Sequence, residues 1–140
     1  MIAITISDVH PDPLGRDREN NHNSKLNQEW IEITNIGNED FKIKGKVLVD
    51  RTATNQRRHA IVFDPLGKPD YALPVGVTLR VYTGNSDDAN DPPAPTPTGT
   101  WRYFLCYNAY IWNNTGDTAE IYASEADYNA GNAPIAKRTF

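Results

Sequence analysis

The chain has 140 residues, a length that predicts one domain, 1–140, able to bury about 68–70% of its unfolded surface without a disulfide or a metal. Its formal net charge of -4 and pI of about 5.3 argue against general nucleic-acid binding, because phosphate recognition needs clustered Lys and Arg. The single cysteine, Cys106, excludes an internal disulfide, and no apolar run reaches transmembrane length, so we expect no membrane insertion.

The N-terminal quarter predicts two strands joined by a long loop. Alternation of isoleucine with small or polar residues from Ile2 to Ser7 is typical of a strand with one buried face. Residues 9–25 are polar and contain two prolines and a glycine, which predicts a loop long enough to be functional. In the next strand Ile31 and Ile33 face the core, on the side opposite to Trp30.

The middle of the chain predicts further strands separated by turns. Residues 41–50 read as one strand in which Gly45 marks a bend or bulge. A polar, basic loop is expected over 51–59, followed by a short apolar strand at 60–63. Alternating Val, Leu and Val predict another strand over 77–82.

The C-terminal part begins with a proline-rich loop over 85–100 and an extended aromatic segment over 101–110. Residues 111–122 then read as strand, tight polar turn and strand. Ser124 fits a helix N-cap with an acid three residues on, and Gly131 fits the C-terminal end of that helix. The last residues, 134–140, predict a closing strand. Cys106 follows apolar neighbours, which predicts a small buried side chain.

Many short strands with little helix predict an all-β sandwich or barrel. Its core is expected to contain the inward residues of the alternating strands: Ile4, Ile6, Ile31, Ile33, Val47, Leu79, Val81 and Ile121.

Two sequence blocks carry a family resemblance. Residues 27–35 read Asn-Gln-Glu-Trp-Ile-Glu-Ile-Thr-Asn, and residues 111–122 read Ile-Trp-Asn-Asn-Thr-Gly-Asp-Thr-Ala-Glu-Ile-Tyr. Together, and in this order, they resemble the lamin tail domain family in its prokaryotic branch. Further segments fit the family pattern in register: 9–17, 45–50, 73–76 and 81–84. The sequence departs from that pattern at Lys46, where a tryptophan is usual.

The resemblance implies an immunoglobulin-like β-sandwich that serves as a non-catalytic interaction or accessory domain, with an unknown protein or cell-surface partner. Prokaryotic members often stand beside exported hydrolases or nucleases, which implies an alternative role as a carbohydrate- or calcium-binding module. The N-terminus has no signal-peptide pattern. We therefore interpret the chain as an excised domain or as the mature part of a longer exported precursor.

Acidic side chains form the only candidates for a metal site. Asp12 and Asp17, with Glu29, are one group, and Asp87 and Asp91 are another. Calcium prefers six to eight oxygen ligands, but neither spacing matches an EF-hand loop. For the first group we favour Asp12 and Asp17 as turn caps in the long loop, with Glu29 paired to Arg16 or Arg18. For the second group we favour a solvated loop, and a weak calcium site at either group is the alternative.

Other side chains have ordinary structural interpretations. The three histidines are far apart and predict no zinc site. Arg51, Arg57, Arg58 and His59 form the basic patch, which we interpret as a solvated hairpin tip. Trp112 is expected in the core, whereas Trp30 leaves open a carbohydrate-binding aromatic platform. No nucleophile–base set, P-loop or dinucleotide motif occurs, so we expect no enzyme activity and no cofactor.

Overall fold

Ten strands and one short helix form the part of the chain that the computed structural model describes, which is residues 3–11, 26–51, 57–64, 71–84, 96–107, 111–112 and 117–140. The strands are β1 (Ile4–His10), β2 (Trp30–Asn35), β3 (Phe41–Lys42), β4 (Val47–Arg51), β5 (Arg57–Val62), β6 (Ala72–Leu73), β7 (Thr78–Tyr82), β8 (Trp101–Phe104), β9 (Thr118–Tyr122) and β10 (Ala136–Thr139). Helix α1 (Glu125–Asn129) lies between β9 and β10.

The strands form two four-stranded sheets and a two-stranded ribbon. The first sheet has the order β1-β2-β7-β8, antiparallel except for the parallel pair β7–β8. The second sheet has the order β10-β9-β4-β5 and is antiparallel throughout. Strands β3 and β6 pair separately. The two sheets face each other as the layers of a β-sandwich, as the alternation of apolar residues predicts.

The predicted core is confirmed, because all eight residues expected in it are buried. Seven of them join one apolar cluster between the sheets. Val47 instead packs with Val49 and Tyr122 in a smaller cluster, against Tyr128 of α1. The helix therefore covers apolar residues on the outer face of the second sheet.

Several strand boundaries differ from the sequence prediction. Strand β1 continues to His10, into the loop predicted over residues 9–25, because Val9 and His10 still pair with β2. Residues 41–50 form two strands, because the backbone turns at Gly45, whose φ of +84° suits glycine. The predicted loop over 51–59 is wrong at both ends, since Arg51 ends β4 and Arg57 begins β5. Pairing across the two strands extends both beyond their apolar residues.

The predicted hairpin over 111–122 is also only half right. Its second strand is β9, but Ile111 and Trp112 are buried outside any strand. Residues 113–116 of the predicted turn lie outside the described residues. The preceding aromatic strand, β8, pairs with β7 rather than with β9.

The prediction for Cys106 is wrong. Its side chain is exposed, and its backbone has a φ of +58°, in the left-handed region that few non-glycine residues adopt. The backbone around Cys106 nevertheless stays on the sheet, because the amides of Leu105, Cys106 and Tyr107 donate to carbonyls of residues 82–84.

Candidate interaction surface

Glu29 is a fully buried structural anchor at the start of β2. Its Oε1 accepts hydrogen bonds from the Thr83 hydroxyl at 2.7 Å and from the Ile111 amide at 2.8 Å. Its Oε2 accepts from the Trp112 amide at 3.3 Å. Glu29 thus fixes the segment 111–112 against the sheet. Its suggested partners, Arg16 and Arg18, lie outside the described residues.

Asp50 and His59 form a second polar contact at the same end of the sandwich. The buried Asp50 carboxylate accepts from the backbone amide of His59 at 2.6 Å and lies 3.0 Å from its Nδ1. The imidazole also meets the ring of Tyr107 edge-on, with centroids 5.6 Å apart. Burial, and secondarily Asp50, raises the pKa of Tyr107. Among the described residues no hydroxyl or thiol is hydrogen-bonded to His59, so the contact lacks a nucleophile.

Two members of the predicted basic patch, Arg51 and His59, make contacts within the domain rather than forming a solvated tip, whereas the side chains of Arg57 and Arg58 lie outside the described residues. The Arg51 Nε donates to Glu120 Oε1 at 2.5 Å, and its Nη2 donates to the Tyr122 hydroxyl at 3.3 Å. These hydrogen bonds, to Tyr122 and then to Glu120, raise the pKa of Arg51. Arg51 is therefore part of a cross-strand network between β4 and β9, and its charge is neutralised within the domain.

The outer face of the first sheet carries two rows of side chains in register across its four strands. The first row is aromatic and consists of His10, Trp30, Tyr82 and Phe104. The neighbouring row is charged and consists of Asp8, Glu32, Arg80 and Arg102. The Arg80 guanidinium lies 3.8 Å from the ring centroid of Trp30 and bonds Glu32 at 2.9 Å. Trp30 is only 9% exposed, so it is a covered side chain rather than an open platform for a sugar.

An open groove lies at the opposite end of the sandwich from Glu29, and the three most exposed large apolar side chains among the described residues lie at that end. The groove has a volume of about 310 Å³ and is lined by Ala3, Ile4, Phe41, Lys46, Ala123 and Ile135. Ile135 is 41% exposed, Val75 is 49% exposed and Ile36 is 60% exposed. The Ile36 amide donates to the Ala3 carbonyl at 3.0 Å, which places Ile36 at the rim of the groove. We call the groove with Ile36 and Val75 the apolar end.

Lys46 supplies the positive charge in the lining of this groove. The Lys46 Nζ lies 5.2 Å from the centroid of the Phe41 ring, within the range of a cation–π contact. Burial, and secondarily the charge of Lys42, lowers the pKa of Lys46. No carboxylate in the described ranges forms an ion pair with Lys42, Lys44 or Lys46.

The acidic metal candidates remain predictions. Asp12, Asp17, Asp87 and Asp91 all lie outside the described residues. Within the described part of the chain, no three His, Cys, Asp or Glu side chains converge as a metal site would require. Helix α1 is short and polar, and no helix in those ranges has the length and apolar character of a membrane span.

Two facing sheets built on alternating apolar residues define an immunoglobulin-like β-sandwich domain. Residues 2–139 match the family described as Lamin Tail Domain, so the chain belongs to the lamin tail domain family. This family consists of β-sandwich domains that are not known as catalytic. A comparison with curated proteins found no match.

Sequence reasoning missed the groove as a candidate site. One available signal was Lys46, a cation in the position where the family pattern favours an apolar aromatic residue. A second signal was Ile36, a large apolar residue inside a predicted turn, where polar residues are usual.

Proposed function

We propose that this lamin tail domain is a non-catalytic interaction module that binds a protein partner through its apolar end. The observation that carries the proposal is the exposure of Ile36, Val75 and Ile135 at the end of the sandwich that holds the groove, with Ile135 in the groove lining. Contiguous exposed apolar side chains on a soluble domain mark interaction sites, because their burial against a partner removes apolar surface from water.

The polar clusters support a non-catalytic role. Glu29 uses both carboxylate oxygens to hold Thr83 and the backbone of 111–112. Glu120 is occupied by Arg51 and Tyr122. Carboxylates whose oxygens already accept hydrogen bonds within the domain are poorly placed to exchange protons with a substrate.

Selection of a random peptide library on the intact chain tests the binding role. We expect enriched peptides whose affinity falls about tenfold or more on Ile135→Asp, because a charge would replace buried apolar contact. Thr139→Asp is the matched control, since Thr139 is exposed, lies at the other end of β10 and receives the same charge. Failure to enrich any peptide, or equal losses in both variants, would contradict the proposal.

Turnover assays test the absence of catalysis. We expect the purified chain to hydrolyse no generic ester, phosphate or glycoside above background. The clearest contrary result is an activity that survives repurification and disappears in His59→Ala, since His59 is the exposed half of the Asp50–His59 contact.

A further inference from the structure

We propose that the groove of the apolar end receives a peptide segment of a partner protein in which an apolar side chain lies next to a carboxylate, the carboxylate pairing with Lys46. This inference rests on the proposed function and names the chemistry of the partner.

The lining of the groove selects an apolar side chain. Five of its six residues are Ala, Ile or Phe, and the sixth places a lysine stem among them. A volume of about 310 Å³ is at the lower limit of ligand sites, which run from about 300 to 1,000 Å³. One or two side chains therefore fit, whereas a large cofactor does not.

The charge at the groove selects an anion beside that side chain. Lys46 is partly withdrawn from water, and among the described residues no carboxylate neutralises it or its neighbours Lys42 and Lys44. A partly desolvated cation that also feels the charge of Lys42 gains more from an incoming carboxylate than a solvated surface lysine does. This concentration of positive charge stands out in a chain whose formal net charge is -4.

The surface around the groove favours a peptide over a free amphiphilic acid. Ile36 and Val75 extend the apolar surface beyond the groove, which a small molecule inside it would leave exposed. A peptide places one side chain in the groove and covers the rim with its neighbours, as pocket-anchored peptides do.

Fluorescence anisotropy of peptides selected from the library provides the test. We expect the selected sequences to share an apolar residue adjacent to Asp, Glu or a free C-terminal carboxylate. Replacing that carboxylate with the amide should weaken binding about tenfold, as should Lys46→Met, whereas Lys46→Arg should retain most of the affinity. Binding should also weaken as salt rises.

Two controls separate this inference from the proposed function. Lys44→Met removes a nearby exposed charge and should change the affinity less than about twofold. If Ile135→Asp abolishes binding but Lys46→Met and the amide peptide do not weaken it, the interaction module stands and the carboxylate pairing is wrong. If decanoate binds in a Lys46-dependent manner and the peptides do not, the peptide occupant is wrong.

Discussion

At the scale of single residues, buried polar side chains hold the ends of the sandwich in place. Glu29 is the main example, because it binds one hydroxyl and two backbone amides that would otherwise be buried without an acceptor. Such amides are costly to leave unpaired, so an inward acid can stabilise a domain without any role in catalysis.

Glu29→Gln is expected to lower the free energy of unfolding by about 1.5–3 kcal/mol, because the amide group presents a donor to atoms that are themselves donors. Chemical denaturation measures the loss, and Trp112 fluorescence reports whether residues 111–112 detach. Glu125→Gln, an exposed substitution in α1, is the control and should change stability by less than about 0.5 kcal/mol. Equal midpoints for the two variants would show that Glu29 is not an anchor.

Gly84 is constrained by a neighbour rather than by its own backbone. A Cβ at this position would lie 2.5 Å from Asn27 Oδ1 and 3.0 Å from Leu26 Cβ. Gly84→Ala should therefore lower the free energy of unfolding by about 1–3 kcal/mol through overpacking. The cost should be smaller in an Asn27→Ala background, which removes the nearer atom, and a double-mutant cycle measures that difference. Strict additivity of the two substitutions would rule out the contact as the cause.

The inward-facing position of Glu29 could be predicted from the sequence. It has the same parity as Ile31 and Ile33, which places it on the inward face of the strand that follows. Its partners could not be predicted, because Thr83 and Ile111 lie more than 50 residues away along the chain and meet it only in the folded domain.

At the scale of secondary structure, helix α1 is short and depends on its ends. The Ser124 hydroxyl accepts the Asp127 amide at 3.1 Å, as the sequence predicts. Gly131 has a φ of +76°, and the Asn132 amide reaches the Asp127 carbonyl in a Schellman motif. Both caps follow from local sequence, which explains why this element was predicted correctly.

Ser124→Ala should reduce the free energy of unfolding by about 1 kcal/mol, because it removes the acceptor for an amide at the helix start. Ser124→Asp keeps an acceptor and should remain close to the wild type. Thermal or chemical denaturation of both variants compares them directly. A loss of the same size in Ser124→Asp would mean that the hydroxyl is needed for something other than capping.

Strand prediction succeeded where alternation was long and failed where it was short. Strands β1, β2, β7 and β9 alternate over five or more residues, and each was predicted. Strands β3 and β6 have two residues each, too few for a period to be visible. The parallel pairing of β8 with β7 joins strands that are distant in sequence, so no local sequence pattern predicts it.

At the scale of the whole molecule, the two ends of the sandwich differ in chemistry. At one end, Glu29 and Asp50 make buried polar contacts, whereas the other end has the groove around Lys46. Lys46 and Ile36 were signals in the sequence, but the groove itself could not be located from them, because its lining comes from four separate parts of the chain: Ala3 and Ile4, Phe41 and Lys46, Ala123, and Ile135. The family resemblance predicts the fold, whereas the groove forms only when those four parts of the chain pack together.

The stability of the domain should fall as the pH rises through about 10. Burial raises the pKa of four tyrosines: Tyr71, Tyr103, Tyr107 and Tyr122. The unfolded chain therefore releases these protons first, near the ordinary tyrosine pKa of about 10, and each further rise in pH favours unfolding until the folded side chains also ionise. Lys46 acts in the opposite direction, since its lowered pKa makes the folded state lose its proton first, but it is one group against four. Urea midpoints measured between pH 8 and pH 11.5 should decrease above pH 10, and less steeply in a Tyr71→Phe/Tyr103→Phe double variant. A midpoint that stays level across this range, or a double variant that follows the wild type, would show that the buried tyrosines do not control alkaline unfolding.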